Sequence, residues 1–163
     1  MRIFRIIVLF ICLYLIQTVV VSRAAIFGVK ADMMLVVSTL FAVNFGAEAG
    51  AICGLISGAV LDVFGVSHLF YTATRTVLGF LVGTFKESII GTEEGVAVSA
   101  VVVATITAFL LEVLSLYFFF EKPIGSPLVL LVTLIISCLY NSVIAALLYP
   151  VMKISSRYFT AEA

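Results

Sequence analysis

The stretch from Met33 to Phe64 contains only two charged side chains, Glu48 and Asp62. As a single helix rising 1.5 Å per residue it would reach about 50 Å, far more than a hydrocarbon core about 30 Å thick. The sequence therefore predicts two helices here. The break is expected at Asn44-Phe45-Gly46-Ala47-Glu48, because Asn and Gly suit a helix C-terminus and Glu suits the first turn of the next helix. The first of the two is then short, Met33 to Phe45, and the second runs from Ala47 to Phe64.

The same apolar character extends along the whole chain of 163 residues, which is 64% hydrophobic with 9 basic and 9 acidic side chains. Soluble domains are about half apolar and roughly a quarter charged, so the chain reads as an all-α, polytopic membrane protein. Six spans of roughly 20 residues use about 120 positions and leave no room for a soluble domain. The formal net charge of zero, the lack of a basic run and the absence of Trp give no support for nucleic-acid binding.

Charged and turn residues place the other spans at Ile3–Ser22, Leu69–Phe85, Val96–Phe120 and Pro127–Tyr149. Arg2 and Arg5 before the first apolar run, with Ser22-Arg23-Ala24-Ala25 after it, also allow a signal peptide. The run is long for that purpose and the remaining chain is itself polytopic, which favours a retained span. With both termini in the cytoplasm, Arg2, Arg5, Lys86, Lys153 and Arg157 lie inside and Arg23, Lys30 and Lys122 outside, a modest positive-inside bias that leaves Arg75 within the membrane. Cys12, Cys53 and Cys138 sit in apolar surroundings without metal-ligand or disulfide spacing and read as small core residues. No metal or cofactor is called for.

Gly46, Gly50, Gly54 and Gly58 recur at strict four-residue spacing, flanked by Ala47, Ala51, Ser57 and Ala59. Residues four apart lie nearly above one another on a helix, so the stripe predicts a groove for close approach of another helix backbone. That helix belongs either to the same chain or to a partner. Gly79 and Gly83 form a second such pair, read first as packing. Asp62 is the next step of the first stripe, and a hairpin near Val66 would bring Arg75 within reach of it. An Asp62–Arg75 ion pair is expected, as a clamp or, less favoured, a relay. Gln17, Glu112 and Asn141 fall inside apolar segments and require polar partners that the sequence alone does not choose. His68, the one histidine, suits a turn. No HExxH, GxSxG or P-loop pattern is present, so a membrane enzyme is the least favoured reading.

Lys30-Ala31-Asp32 leading into a short apolar helix, followed by Gly50-x-x-x-Gly54-x-x-x-Gly58-x-x-x-Asp62 and a turn into another helix, resembles the rod shape-determining membrane protein MreD family. Gly54, Gly58, Leu61 and Asp62 match the family motif, and Gly65 stands near its turn glycine. Val66 to Tyr71 departs from the usual small-residue continuation, and Arg75 falls where apolar residues are more usual. The motif similarity covers about residues 30 to 85. It implies a multi-pass scaffold of the bacterial inner membrane that binds the single-span protein MreC, and through it the MreB filaments, RodA and a transpeptidase. It also implies a fold resembling the substrate-binding components of energy-coupling-factor transporters, which supplies the rival reading, a vitamin-binding transporter subunit. That rival predicts an outward-facing polar and aromatic cavity, and small-residue docking motifs on the first span; the bulky residues of Ile3 to Val21 lack such motifs.

Overall fold

The computed structural model describes residues 2–19, 28–64, 70–88, 91–118 and 126–161. Six α-helices occupy them: α1 (Arg2–Val19), α2 (Met33–Phe45), α3 (Ala47–Phe64), α4 (Phe70–Phe85), α5 (Glu93–Phe118) and α6 (Pro127–Ala161). A 3-10 turn, Lys86–Ser88, follows α4. The chain is all-α, and three of its helical segments, Ala47–Phe64, Glu93–Phe118 and Pro127–Lys153, are long and apolar enough to cross a membrane. This is the architecture of a helical, multi-pass membrane protein.

The short helix α2 is the centre of the fold and touches each of the other five helices. Its sequence is apolar around the whole circumference, the pattern of a helix enclosed on every side, and Met34, Leu35, Val36, Val37, Leu40 and Ala42 are all buried. Gly46 separates α2 from α3 with a φ of +91°, a backbone state that L side chains rarely adopt. Its N–H closes the end of α2 on the Ala42 carbonyl at 2.9 Å. Glu48 then falls in the first turn of α3, where a carboxylate interacts favourably with the helix N-terminus. At the same end of α2, the Lys86 ammonium donates to the Val43 carbonyl at 3.0 Å.

Helices α3 and α4 make the closest pairing in the molecule, and the small residues explain it. A Cβ placed on Gly50 would lie 2.9 Å from the Gly79 carbonyl carbon, one on Gly54 2.6 Å from that of Arg75, and one on Gly58 2.6 Å from the Thr72 nitrogen. The reverse holds from the other side, where a Cβ on Gly83 would stand 2.5 Å from the Ala47 Cα. The groove foreseen on α3 is therefore filled by α4 of the same chain. Gly46 is not one of its rungs: it lies between helices, and a Cβ there would meet nothing within 4 Å.

Helix α5 begins at Glu93, one turn before the apolar run, because Thr92 caps it: the Thr92 carbonyl accepts from Val96 N–H at 2.8 Å and its hydroxyl from Gly95 N–H at 3.2 Å. Helix α6 continues through Pro150 to Ala161. Glu93 at the start of α5 pairs with Lys153 near the end of α6, and the Tyr149 hydroxyl donates to the same carboxylate at 3.3 Å. Cys53 is buried, whereas Cys12 is exposed on the outside of α1 rather than in the core. The expectations for Ser22 to Ala25, for the turn Gly65 to Leu69 including His68, and for Phe119 to Gly125 lie outside the described residues.

Candidate functional site

The polar residues scattered through the apolar segments converge on the end of the bundle where α2 and α4 begin. Asp32 is the first of them. Its side chain caps α2 by accepting from Leu35 N–H at 3.0 Å, as an Asp before an apolar run does. Because this helix end is enclosed, its other amides also need acceptors. Asn141 on α6 supplies one, its Oδ1 accepting from Asp32 N–H at 2.9 Å, while its Nδ2 donates to the Thr105 hydroxyl of α5 at 3.0 Å. Gln17 on α1 supplies another, accepting from Met34 N–H at 3.3 Å. Two of the three polar side chains without assigned partners in the sequence reading thus serve one buried helix terminus.

The third, Glu112 on α5, accepts from the Tyr71 hydroxyl at 2.7 Å. Tyr71 in turn lies beside Arg75, whose guanidinium carbon is 5.7 Å from the ring centroid, within the range of a cation–π contact.

The ion pair expected between Asp62 and Arg75 is not formed. Arg75 Nη2 pairs with the Asp32 carboxylate, and Asp62 caps α4 from the preceding helix. Its two oxygens accept from Tyr71 N–H at 3.2 Å, Thr72 N–H at 2.8 Å and the Thr72 hydroxyl at 2.6 Å. The physical reason is the close glycine packing. It brings the last turn of α3 directly over the first turn of α4, where unpaired amides and a positive end potential hold the carboxylate. Arg75, one turn further along, is left to reach the other helix N-terminus in the neighbourhood, that of α2.

These groups surround a cleft of about 410 Å³ lined in part by Gln17, Lys30, Asp32, Tyr71, Arg75 and Glu112. Arg75 is 4% exposed, its Nη1 is buried, and no hydrogen bond from the described residues reaches that atom. Lys30, by contrast, is exposed. Lys30, Asp32 and Tyr71 are contributors that the sequence reading did not single out as site residues. The position of Asp32 immediately before an apolar run carried a capping signal, whereas nothing local marks Tyr71. No group of three or more metal-ligating side chains occurs among the described residues. Comparison of the chain with models of known families, with curated proteins and with solved structures finds no match.

Proposed function

We propose that this chain is a non-catalytic integral membrane scaffold of the bacterial cell-elongation machinery, a protein of the MreD type that binds MreC by helix packing. The observation that carries the reading is the division of labour within Gly50-x-x-x-Gly54-x-x-x-Gly58-x-x-x-Asp62. The glycines clasp α4 along its length and the aspartate caps the same helix, so all four of these positions act on one neighbouring helix. Such a unit suits a chain that holds other membrane proteins in fixed positions. In this reading the six helices thread the inner membrane, the short α2 enclosed within it, with both termini in the cytoplasm, and the fold is akin to that of energy-coupling-factor substrate-binding components. MreB, RodA and a transpeptidase are reached through MreC.

Because the glycine face is taken by α4, MreC has to use another outer surface. Helix α6 offers Ile135, Leu139, Val143 and Leu147, all exposed and nearly in line. A photo-crosslinking residue at Leu139 should capture MreC in native membranes, while one at Val77 on α4 should not. Failure of MreC to co-purify with the unmodified chain would overturn the scaffold reading.

The cleft gives one specific reason to keep the second reading, a vitamin-binding transporter subunit, since its wall is both polar and aromatic. Thermal stabilisation of the purified protein by a single vitamin would support it over the scaffold.

A further inference from the structure

We infer that the cleft beside Arg75 binds a zwitterionic ligand, with an oxyanion held by Arg75 and Lys30 and a primary ammonium held by Glu112. The chemistry that fits is a phosphate monoester or diester joined by a short link to an ammonium group. It is supplied either by the headgroup of phosphatidylethanolamine or by a free solute of the phosphoethanolamine kind.

Three groups in the cleft have hydrogen-bonding capacity left over. Arg75 is held through Nη2 by Asp32, but its Nη1 is buried and makes no hydrogen bond with the described residues. A charged donor withheld from both water and protein is a costly arrangement, and an entering oxyanion relieves it. Nη1 has almost no accessible surface, so capture requires the guanidinium to turn towards the cleft against its contacts with Asp32 and the Tyr71 ring. Lys30 brings a second cation to the rim and makes no hydrogen bond or ion pair with a described residue. Glu112 receives the Tyr71 hydroxyl on Oε1, while Oε2 accepts nothing from the described residues. Tyr71 stands between Glu112 and Arg75 and spaces the acidic and basic sides of the cleft.

The charge balance selects the ligand class. Lys30, Arg75, Asp32 and Glu112 line the cleft, so it is neutral overall and repels neither sign as a whole; Asp32 is already paired with Arg75, which leaves the two cations in excess beside it and Glu112 on the far side of Tyr71. A simple polyanion would meet Glu112 unfavourably, and a simple cation would meet Arg75 and Lys30. A zwitterion satisfies both sides. The volume of about 410 Å³ lies within the roughly 300–1,000 Å³ typical of small-molecule sites. Position agrees as well: α2 has 13 residues and spans about 20 Å, short of a hydrocarbon core about 30 Å thick. Such a helix leaves at least one end below a face of the bilayer, and the cleft lies at its start beside the exposed Lys30, within reach of a headgroup drawn inward or a solute.

The test is thermal unfolding of the purified full chain in a neutral detergent, titrated with dihexanoyl phosphatidylethanolamine, phosphatidylcholine or phosphatidylglycerol, or with O-phosphoethanolamine. The ethanolamine lipid should raise the melting temperature more than the choline lipid, which lacks N–H donors, and more than the glycerol lipid, which lacks a cation. An equal response to phosphoethanolamine identifies a free solute as the source; a response to the lipid alone identifies the headgroup. Lys30→Gln should weaken ethanolamine binding about tenfold, the value of one charge-assisted hydrogen bond. Glu112→Gln, which keeps an acceptor for Tyr71, should erase the preference for ethanolamine over choline. Equal shifts with all three lipids, or both variants binding like the wild type, would overturn the assignment. The test does not depend on MreC, so its outcome is separate from that of the scaffold reading.

Discussion

Arg75 on α4 meets Asp32, the residue that caps α2, so one carboxylate both closes a helix end and neutralises a buried guanidinium. Removing one partner of a buried ion pair typically costs about 3–5 kcal/mol because the other charge is left uncompensated. Asp32→Asn, which retains an oxygen for Leu35, should fall near the lower bound, since the Asp32 side chain is 31% exposed. Arg75→Gln should cost less than Asp32→Asn, and the double variant should lose less than the sum by about 1 kcal/mol or more. Unfolding in detergent measures the cycle. The same cycle on Asp62 and Arg75 should be additive, and strong coupling there would show that Asp62, not Asp32, is the partner.

The α3–α4 contact leaves no space for a methyl group at its centre. Gly54→Ala should destabilise the protein by about 2–3 kcal/mol, the upper part of the range for overpacking, because the atoms in the way are backbone atoms of Arg75 and Thr76. Gly46→Ala meets no neighbour, and its cost of about 1–3 kcal/mol comes from backbone strain alone, because φ +91° with ψ −173° is a conformation nearly confined to glycine. Gly54→Leu should then be far worse than Gly54→Ala, whereas Gly46→Leu should differ little from Gly46→Ala; thermal melts showing equal losses for Gly54→Ala and Gly54→Leu would contradict the packing described for Gly54.

Asp62 acts as a cap supplied from outside the helix it closes. Asp62→Ala should lower stability by about 1–2 kcal/mol and speed hydrogen exchange at the amides of Tyr71 and Thr72. Asp62→Asn keeps an acceptor oxygen and should be milder. Unchanged exchange at both amides in Asp62→Ala would remove the capping role.

Asn141 serves two partners at once, the Asp32 amide and the Thr105 hydroxyl. Asn141→Leu should cost about 1–3 kcal/mol by leaving a buried donor unsatisfied. Gln17→Leu should cost less, since its bond to Met34 N–H is longer, at 3.3 Å. Exchange at the amides of Asp32 and Met34, followed in each variant, tells which bond was lost.

Local pattern revealed the helices, and long-range geometry decided the site. The break at Gly46 is readable because an apolar run too long for one crossing must bend where Asn and Gly stand together. The glycine stripe is readable as a close-packing face, yet its occupant is not, since any helix with small residues fits the same groove; only the register of Gly79 and Gly83 against it settles the choice. The partner of Asp62 is not readable from the sequence for a related reason. Side-chain charge alone points to Arg75, but two backbone amides and a hydroxyl lie closer, and sequence spacing does not reveal how near two helices stand. Asn141 and Gln17 lie far along the chain from the amides they satisfy, so no window of sequence joins them.

The enclosed start of α2 has a consequence for biogenesis. Its Asp32 amide is satisfied by a side chain 109 positions later in the chain. Until α6 emerges from the ribosome and enters the bilayer, that amide lacks its final acceptor, so the central helix is made long before it is locked in place.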